Sequence, residues 1–335
     1  MEELIFHLAS QASTFVLLLV IAVTLFTLSK GADILVDEAV SLSVHWGVPK
    51  TIIGATIVSL GTTLPEVSVS VLAAINGNAD LALGNAIGSI IVDTGLILGI
   101  AAIIGNLPVD KTTFNRQGKV QILAAVLLTF ISLPIFHDGK NGIIPQWMGW
   151  IFMLLLFLYI FISIQWAKKD CLTQDNTLFQ EEKKPVLIQL IKLFLGIALV
   201  IISSKILIPA VEITAGRIGV PQSVIAATLV AFGTSLPELI TAVTAVRKGH
   251  GELAVGNIIG ADILNVLFVI GSAASVTSKG LTVPANYYLL QYPTMIIILF
   301  SFRYFAKNSG GKSINRLEGF WLVGIYSVYL LLNYL

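Results

Sequence analysis

The chain has 335 residues, of which 56% are hydrophobic and only 12% charged, and its mean hydropathy is +0.90. Ordinary soluble domains carry roughly 25% charged residues, so this composition is that of a polytopic membrane protein. With a formal net charge of +1, no nucleic-acid partner is expected.

The single cysteine, Cys171, excludes an internal disulfide and any cysteine cluster for a metal or an iron-sulfur centre. The histidines, His7, His45, His137 and His250, fall near the ends of apolar segments, which leaves a histidine-based site within the membrane poorly supported. The opening MEELIFHLASQAS carries two acids and no lysine or arginine, the reverse of a signal peptide's basic start. Insertion is therefore expected to depend on the transmembrane helices themselves.

A spanning helix needs about 20 mostly apolar residues. That criterion places helices near 14–42, 51–75, 80–104, 117–136, 145–167, 185–214, 219–246, 251–275, 283–302 and 315–334. The polar link AKKDCLTQDNTLFQEEKKP, residues 167–185, divides the ten into five and five. With both termini outside, fourteen lysines and arginines fall on the inner side, among them Lys50, Arg116, Lys168, Arg247 and Lys248. Only Lys140, Arg217 and Lys279 fall outside, a strong positive-inside bias.

Residues 47–102 and 219–274 align without a gap, and 25 of the 56 positions are identical. Each half holds an odd number of helices, so the second copy must enter the membrane from the opposite side. The expected fold is an all-α membrane protein of ten transmembrane helices in two inverted five-helix repeats, with helices 2 and 7 broken. Residues 1–166 form the first repeat, 167–185 a cytoplasmic linker and 186–335 the second repeat. Secondary transporters with inverted repeats place their site at the midplane between the halves.

The breaks are read from GTTLPE (61–66) and GTSLPE (233–238). Pro65 has no backbone N–H, so the carbonyl of Gly61 loses its helical partner, and Pro237 does the same to Gly233. Freed backbone at membrane depth is tolerated where it faces a cavity or other protein. Each break gathers carbonyls, hydroxyls and one carboxylate, Glu66 or Glu238. T-x-x-E and S-x-x-E are also capping-box patterns, with Thr63 or Ser235 as the cap. A glutamine would serve a cap equally well, whereas a buried anion costs at least about 2.5 kcal/mol.

The following helices carry GNAIGSIIVD (84–93) and GNIIGADILN (256–265). Gly84 and Gly88, like Gly256 and Gly260, have small-xxx-small spacing for close helix packing. Asp93 and Asn265 are equivalent positions, both oxygen-bearing. Three carboxylates, an amide oxygen, hydroxyls and freed carbonyls, without sulfur or imidazole, suit a hard cation. Calcium fits best, with sodium as the competing ion. Asp262 lies three residues before Asn265 on nearly the same helical face and is left between supplementing the site and facing a polar crevice. Lys30, Asp33, Asp37, Glu38, Lys192, Lys205 and Glu212 are expected to snorkel or form local ion pairs.

The paired blocks GATIVSLGTTLPE with GNAIGSIIVD, and AATLVAFGTSLPE with GNIIGADILN, resemble the alpha repeats of the sodium/calcium exchanger family within the cation/calcium antiporter superfamily, in a compact prokaryotic-type form. The resemblance implies that Glu66, Glu238 and the carbonyls of Thr62 and Thr234 bind calcium. Sodium would share the glutamates, with Ser59, Thr63 and Ser89 on one side and the Ala231 carbonyl and Ser235 on the other. Asp93 and Asn265 would complete the middle, and helices 1 and 6 would slide across the rest. Two departures from the family pattern stand out: Ala261 replaces a serine, and the acid sits at Asp93 with the amide at Asn265 rather than the reverse.

The resulting expectation is a monomeric cell-membrane antiporter that exchanges calcium for sodium by alternating access. It is not an enzyme and uses no cofactor; no GxxxxGK[ST] phosphate loop supports a pump. Its partners are inorganic cations, protons included, and the lipid bilayer. A proton-coupled calcium or cation exchanger is the alternative. A channel or an inert scaffold is disfavoured by the two intact glutamates.

Overall fold

The computed structural model describes residues 2–109, 111–134, 141–171, 185–219, 233–308 and 313–334. Helices dominate. After a short α1 (Glu2–Gln11), the long α2 (Thr14–Trp46) starts at Ser13, whose side chain accepts from the Val16 amide, and ends at Gly47 in the left-handed conformation. Next come α3 (Lys50–Thr62), α4 (Leu64–Ile75), α5 (Ala79–Ile104) and α6 (Lys111–Ile131). The chain continues with α7 (Gln146–Cys171), α8 (Val186–Arg217), α9 (Leu236–Arg247), α10 (Gly251–Ser275), α11 (Gln291–Asn308) and α12 (Arg316–Tyr334). Among the described residues, six helices are long and apolar enough to cross a membrane, or seven if the bent pair α3 and α4 is one span. The protein is an all-helical membrane protein.

The expected segment boundaries shift for local reasons. α6 starts earlier than the apolar run because helix continues through KTTFNRQ, and it stops before Pro134, which disfavours helical geometry in the residue ahead of it. The segment expected from 283 begins with a 3₁₀ turn (Ala285–Tyr288) and becomes α-helical only at Gln291. The residues before it are occupied by strand pairing. Two antiparallel ladders join the helix ends: β1 (Leu107–Pro108) with β4 (Ser313–Ile314), and β2 (Gly142–Ile144) with β3 (Leu281–Val283). Most of the stretch expected to begin the seventh span, 220–232, lies outside the described residues.

The core is built around α5 and α10, whose most apolar windows are 72% and 94% buried, against 28% for α2 and 33% each for α7 and α8. The outer helices turn Phe15, Phe26, Phe157, Phe161 and Phe194 outward, as lipid-facing surfaces require. Glycines set the closest approach at the centre. A Cβ on Gly256 would lie 2.1 Å from the Thr51 carbonyl oxygen, and one on Gly260 2.6 Å from the Ala55 Cα. α3 and α10 therefore touch backbone to backbone. A second close crossing joins α2 and α8 at Gly31 and Gly196, supported by Thr27 with Ser203 at 2.8 Å and by Gln189 donating to Ser41 at 2.8 Å.

The charged residues on α2 and α8 form local ion pairs. Lys192 pairs with Glu38 at 3.7 Å, and Lys248, beyond α9, reaches Asp33 at 3.2 Å and Asp37 at 2.8 Å. In the same turn, Lys50 Nζ lies 3.0 Å from His250 Nδ1 and 2.9 Å from Glu252. Partial burial, then the Lys50 charge, holds the His250 imidazole below its usual range.

Two predictions arise from this packing. Gly256→Ala forces a methyl group against the Thr51 backbone, and overpacking of this kind costs about 1–3 kcal/mol; the melting temperature in detergent should fall, while Gly324→Ala in α12, whose Cβ meets nothing within 4 Å, should not lower it. For His250 the folded state prefers the neutral ring, so the unfolded chain takes up the proton first as pH drops below about 6.5. Stability present above that pH is thus lost on acidification, and thermal unfolding at pH 7.5 and 5.5 should show a smaller drop for His250→Gln than for the parent.

Candidate functional site

α3 and α4 meet at a bend of 45° centred on Thr63, whose backbone (φ −79°, ψ −4°) leaves the regular helix. Ser235 holds nearly the same conformation (φ −85°, ψ 6°) ahead of α9. Pro65 falls in the first turn of α4, which restarts after α3, and Pro237 in the first turn of α9, where a missing N–H costs nothing. Glu66 and Glu238 occupy the same first turns.

The capping-box alternative is not realised. Neither Thr63 nor Ser235 makes a side-chain cap hydrogen bond, and the hydroxyl of each is buried with no hydrogen-bond partner among the described residues. The same is true of Glu66 Oε2, Glu238 Oε2, both carboxylate oxygens of Asp93 and the Asn265 amide oxygen. Buried polar atoms are nearly always paired, and each exception needs a cause. Here the exceptions gather in one place.

The gathering crosses between the two copies of the repeat. Glu66 sits beside Thr234, and Glu238 sits beside Thr62. The carboxylates of Glu66, Asp93 and Glu238 lie within electrostatic range of one another, and Ser235 neighbours Asp93. Ser59, Thr62, Thr63, Glu66, Ser89, Asp93, Ser235, Glu238 and Asn265 are each at most 4% exposed, whereas Thr234 is half-buried. Ser59 Oγ faces Gly260 of α10. Ala231 lies outside the described residues.

Thr234 is where the interior meets the surface. It lines one cleft of about 580 Å³ with Pro65, Lys205, Glu212 and Pro237, and a second of about 630 Å³ with Asn85, Ser89 and Tyr326. Among the described residues no three His, Cys, Asp or Glu side chains close on one point as a metal cluster. Any cation at this centre must take hydroxyl and carbonyl oxygens as well as carboxylates, which is the donor set of a hard ion.

Sequence reasoning missed two residues here. Asn85 donates through Nδ2 to the Glu66 carbonyl at 3.1 Å and to Ser70 Oγ at 3.0 Å, and its Oδ1 accepts from Thr234 Oγ1 at 3.0 Å. Its twin Asn257 accepts from Thr62 Oγ1 at 3.5 Å. Each asparagine thus holds the threonine of the opposite break. The signal was present, since both GN pairs are identical at equivalent positions, but attention fell on the glycines. The second unforeseen feature is a π-helical turn at Val92–Ile97 and another at Asn265–Ile270. Asp93 and Asn265 sit at the start of these wide turns, a backbone device frequent at functional sites.

Comparison with known proteins agrees with this geometry. The family model described as sodium/calcium exchanger protein matches residues 16–165 and 188–335. The chain is 33% identical over 310 residues to the inner membrane protein YrbG of Escherichia coli, covering 88% of this chain and 92% of that one. It is 27% identical over 345 residues to the sodium/calcium exchanger MaX1 of Methanosarcina acetivorans, covering 93% and 97% of the two chains. A solved structure of the sodium-calcium exchanger NCX_Mj, soaked with zero Na⁺ and Ca²⁺, superposes with a TM-score of 0.81 at 25% identity, covering 96% of this chain and all of the other. With both halves matched by one family model and the fold shared end to end, the chain belongs to the sodium/calcium exchanger protein family, a family of transporters.

Proposed function

We propose that the protein is a secondary antiporter that exchanges calcium for sodium by alternating access across the cell membrane, at a midplane site shared by two inverted five-helix repeats, residues 1–166 and 186–335. The observation that carries this reading is the set of buried oxygens without partners on Glu66, Glu238, Asp93, Thr63, Ser235 and Asn265. Calcium takes Glu66, Glu238 and the carbonyls of Thr62 and Thr234. Sodium ions share the glutamates, using Ser59, Thr63 and Ser89 on one side and Ser235 with the Ala231 carbonyl on the other. Asp93 and Asn265 close the middle.

The inverted arrangement is supported by the symmetric contacts. Thr62 with Asn257 and Thr234 with Asn85 exchange the same bond between copies, and the β1–β4 and β2–β3 ladders tie the end of one copy to the other. Ten spans with both termini outside, residues 167–185 within the cytoplasm and a monomeric state complete the reading.

Antiport follows from the cost of the bare site. An ionised carboxylate in a dry membrane interior costs at least about 2.5 kcal/mol on insertion scales, so a site holding several anions crosses poorly when empty. Calcium, or several sodium ions, cancels the charge, and the loaded states become the mobile ones. The α2 and α8 pair suits the moving part. Thr27–Ser203, Gln189–Ser41 and Lys192–Glu38 bind these helices to one another, whereas at its inner end Lys248 ties Asp33 and Asp37 of α2 to the turn after α9.

Purified protein in sodium-loaded liposomes should take up calcium when the outside is sodium-free, and should not do so under a pH gradient alone. Uptake driven by pH and indifferent to sodium would replace sodium with the proton as coupling ion. Glu66→Gln and Glu238→Gln should each weaken calcium binding at least about thirtyfold, the equivalent of ~2 kcal/mol, measured by titration calorimetry on variants that elute as the parent does. Parent-like affinity in either variant would remove that glutamate from the site.

A further inference from the structure

Asp262 of α10 stands apart from the residues assigned above, yet its surroundings are specific. It is 2% exposed, and its Oδ2 accepts from Thr94 Oγ1 at 2.5 Å and from Gln121 Nε2 at 2.6 Å. Its Oδ1 has no partner among the described residues, nor has either oxygen of Asp93 or the amide oxygen of Asn265. Asp93 and Asp262 lie within electrostatic range of each other.

The internal repeat provides a control. At the offset that aligns the two copies, Asp262 corresponds to Ile90 and Thr94 to Val266, both buried apolar residues. This fold therefore accommodates an aliphatic side chain at either position. A hydrogen-bonded Thr94–Asp262 pair, reinforced by Gln121, is an addition that packing does not require. A buried carboxylate is costly where nothing compensates it.

We propose that Asp262 adds a carboxylate to the position closed by Asp93 and the Asn265 amide oxygen, beside Glu66 and Glu238 on the side facing α6, and that this position holds a monovalent metal cation. Thr94 and Gln121 are positioning residues that fix the Asp262 carboxylate with Oδ1 unengaged. The inference rests on the exchanger reading, because the subsite acts in the same transport cycle. A monovalent ion is favoured over calcium by ligand number. The oxygens without partners are two from Asp93, one from Asp262 and one from Asn265, too few for the six to eight that calcium takes. Charge points the same way: Asp93 lies within electrostatic range of both Glu238 and Asp262, and a single calcium ion balances only two carboxylates. A monovalent cation at this subsite lowers the charge that must cross with calcium. Sodium and potassium share the required chemistry, and the experiment separates them.

The test is the number of monovalent cations moved per calcium, obtained from reversal potentials in liposomes for the parent and for Asp262→Asn, each with sodium alone and with potassium on both sides or absent. The variant is expected to couple one fewer cation per calcium. The alkali ion whose gradient no longer contributes identifies the occupant. Identical stoichiometry in parent and variant under every gradient would overturn the subsite, as would a difference that follows the pH gradient alone, since the occupant would then be a proton. If Asp262→Asn does not fold, Gln121→Leu replaces it, leaving Asp262 with one donor; half-activation by the coupling ion should rise at least about threefold, and an unchanged value rejects the proposal. A parent protein that exchanges normally while the variants match it sinks the subsite alone. A parent that shows no sodium-driven calcium movement sinks the exchanger reading and the subsite together.

Discussion

The structure is organised by the expense of holding negative charge where there is no water. A carboxylate buried among helices has to be neutralised or surrounded by donors and dipoles, and a regular helix offers neither, because its N–H and C=O groups are already paired. Breaking the helix at GTTLPE and again at GTSLPE changes this locally. The proline removes one backbone bond, the restart at Leu64 or Leu236 puts a glutamate in the first turn, and the hydroxyls of Thr63 and Ser235 remain without partners. What is left is a pocket of unsatisfied oxygens that is unfavourable when bare and favourable around a cation.

That arrangement needs a rigid frame. The frame comes from small residues. Gly256 and Gly260 let α10 lie against the backbone of α3, and Tyr159 of α7 donates to the Ala55 carbonyl at 2.9 Å within the π-helical stretch of α3. Asn85 and Asn257 then hold the threonines of the breaks from across the repeat boundary. The α2 and α8 pair packs Leu35, Val36, Leu193 and Ile197 into the same core, with Ile197 lying against Gly61 of α3, and Lys248 adds ion pairs to Asp33 and Asp37 that contribute about 0–1 kcal/mol each.

Much of this was legible in the sequence because it depends on local chemistry repeated twice. Apolar runs gave the helices, Pro65 and Pro237 the breaks, and the ungapped duplication the pairing of Glu66 with Glu238. The features that escaped depend on partners distant in sequence. No local signal distinguishes the π turn at Val92 from ordinary helix, because it forms when a neighbouring helix and a buried polar residue compete with the i→i+4 pattern. The strand at Leu281–Val283 exists only because Gly142–Ile144 lies beside it. The hydrogen bonds of Asp262 were not legible either, since Thr94 and Gln121 come from two other helices.

The duplication also shows where symmetry ends. Glu66 and Glu238, Thr62 and Thr234, and Asn85 and Asn257 preserve a near-twofold centre in which either copy could hold the same ion. Asp93 opposite Asn265, Asp262 opposite Ile90 and Ala261 opposite Ser89 do not. Asp93 and Asp262 come from different copies, yet both place their charge to one side of the twofold centre, toward Thr94 and Gln121. In the proposed reading the symmetric residues serve calcium, and the choice of coupling ion falls to the asymmetric ones. A family fold can thus retain its calcium chemistry while a few asymmetric substitutions alter the count or kind of the ions moved in return.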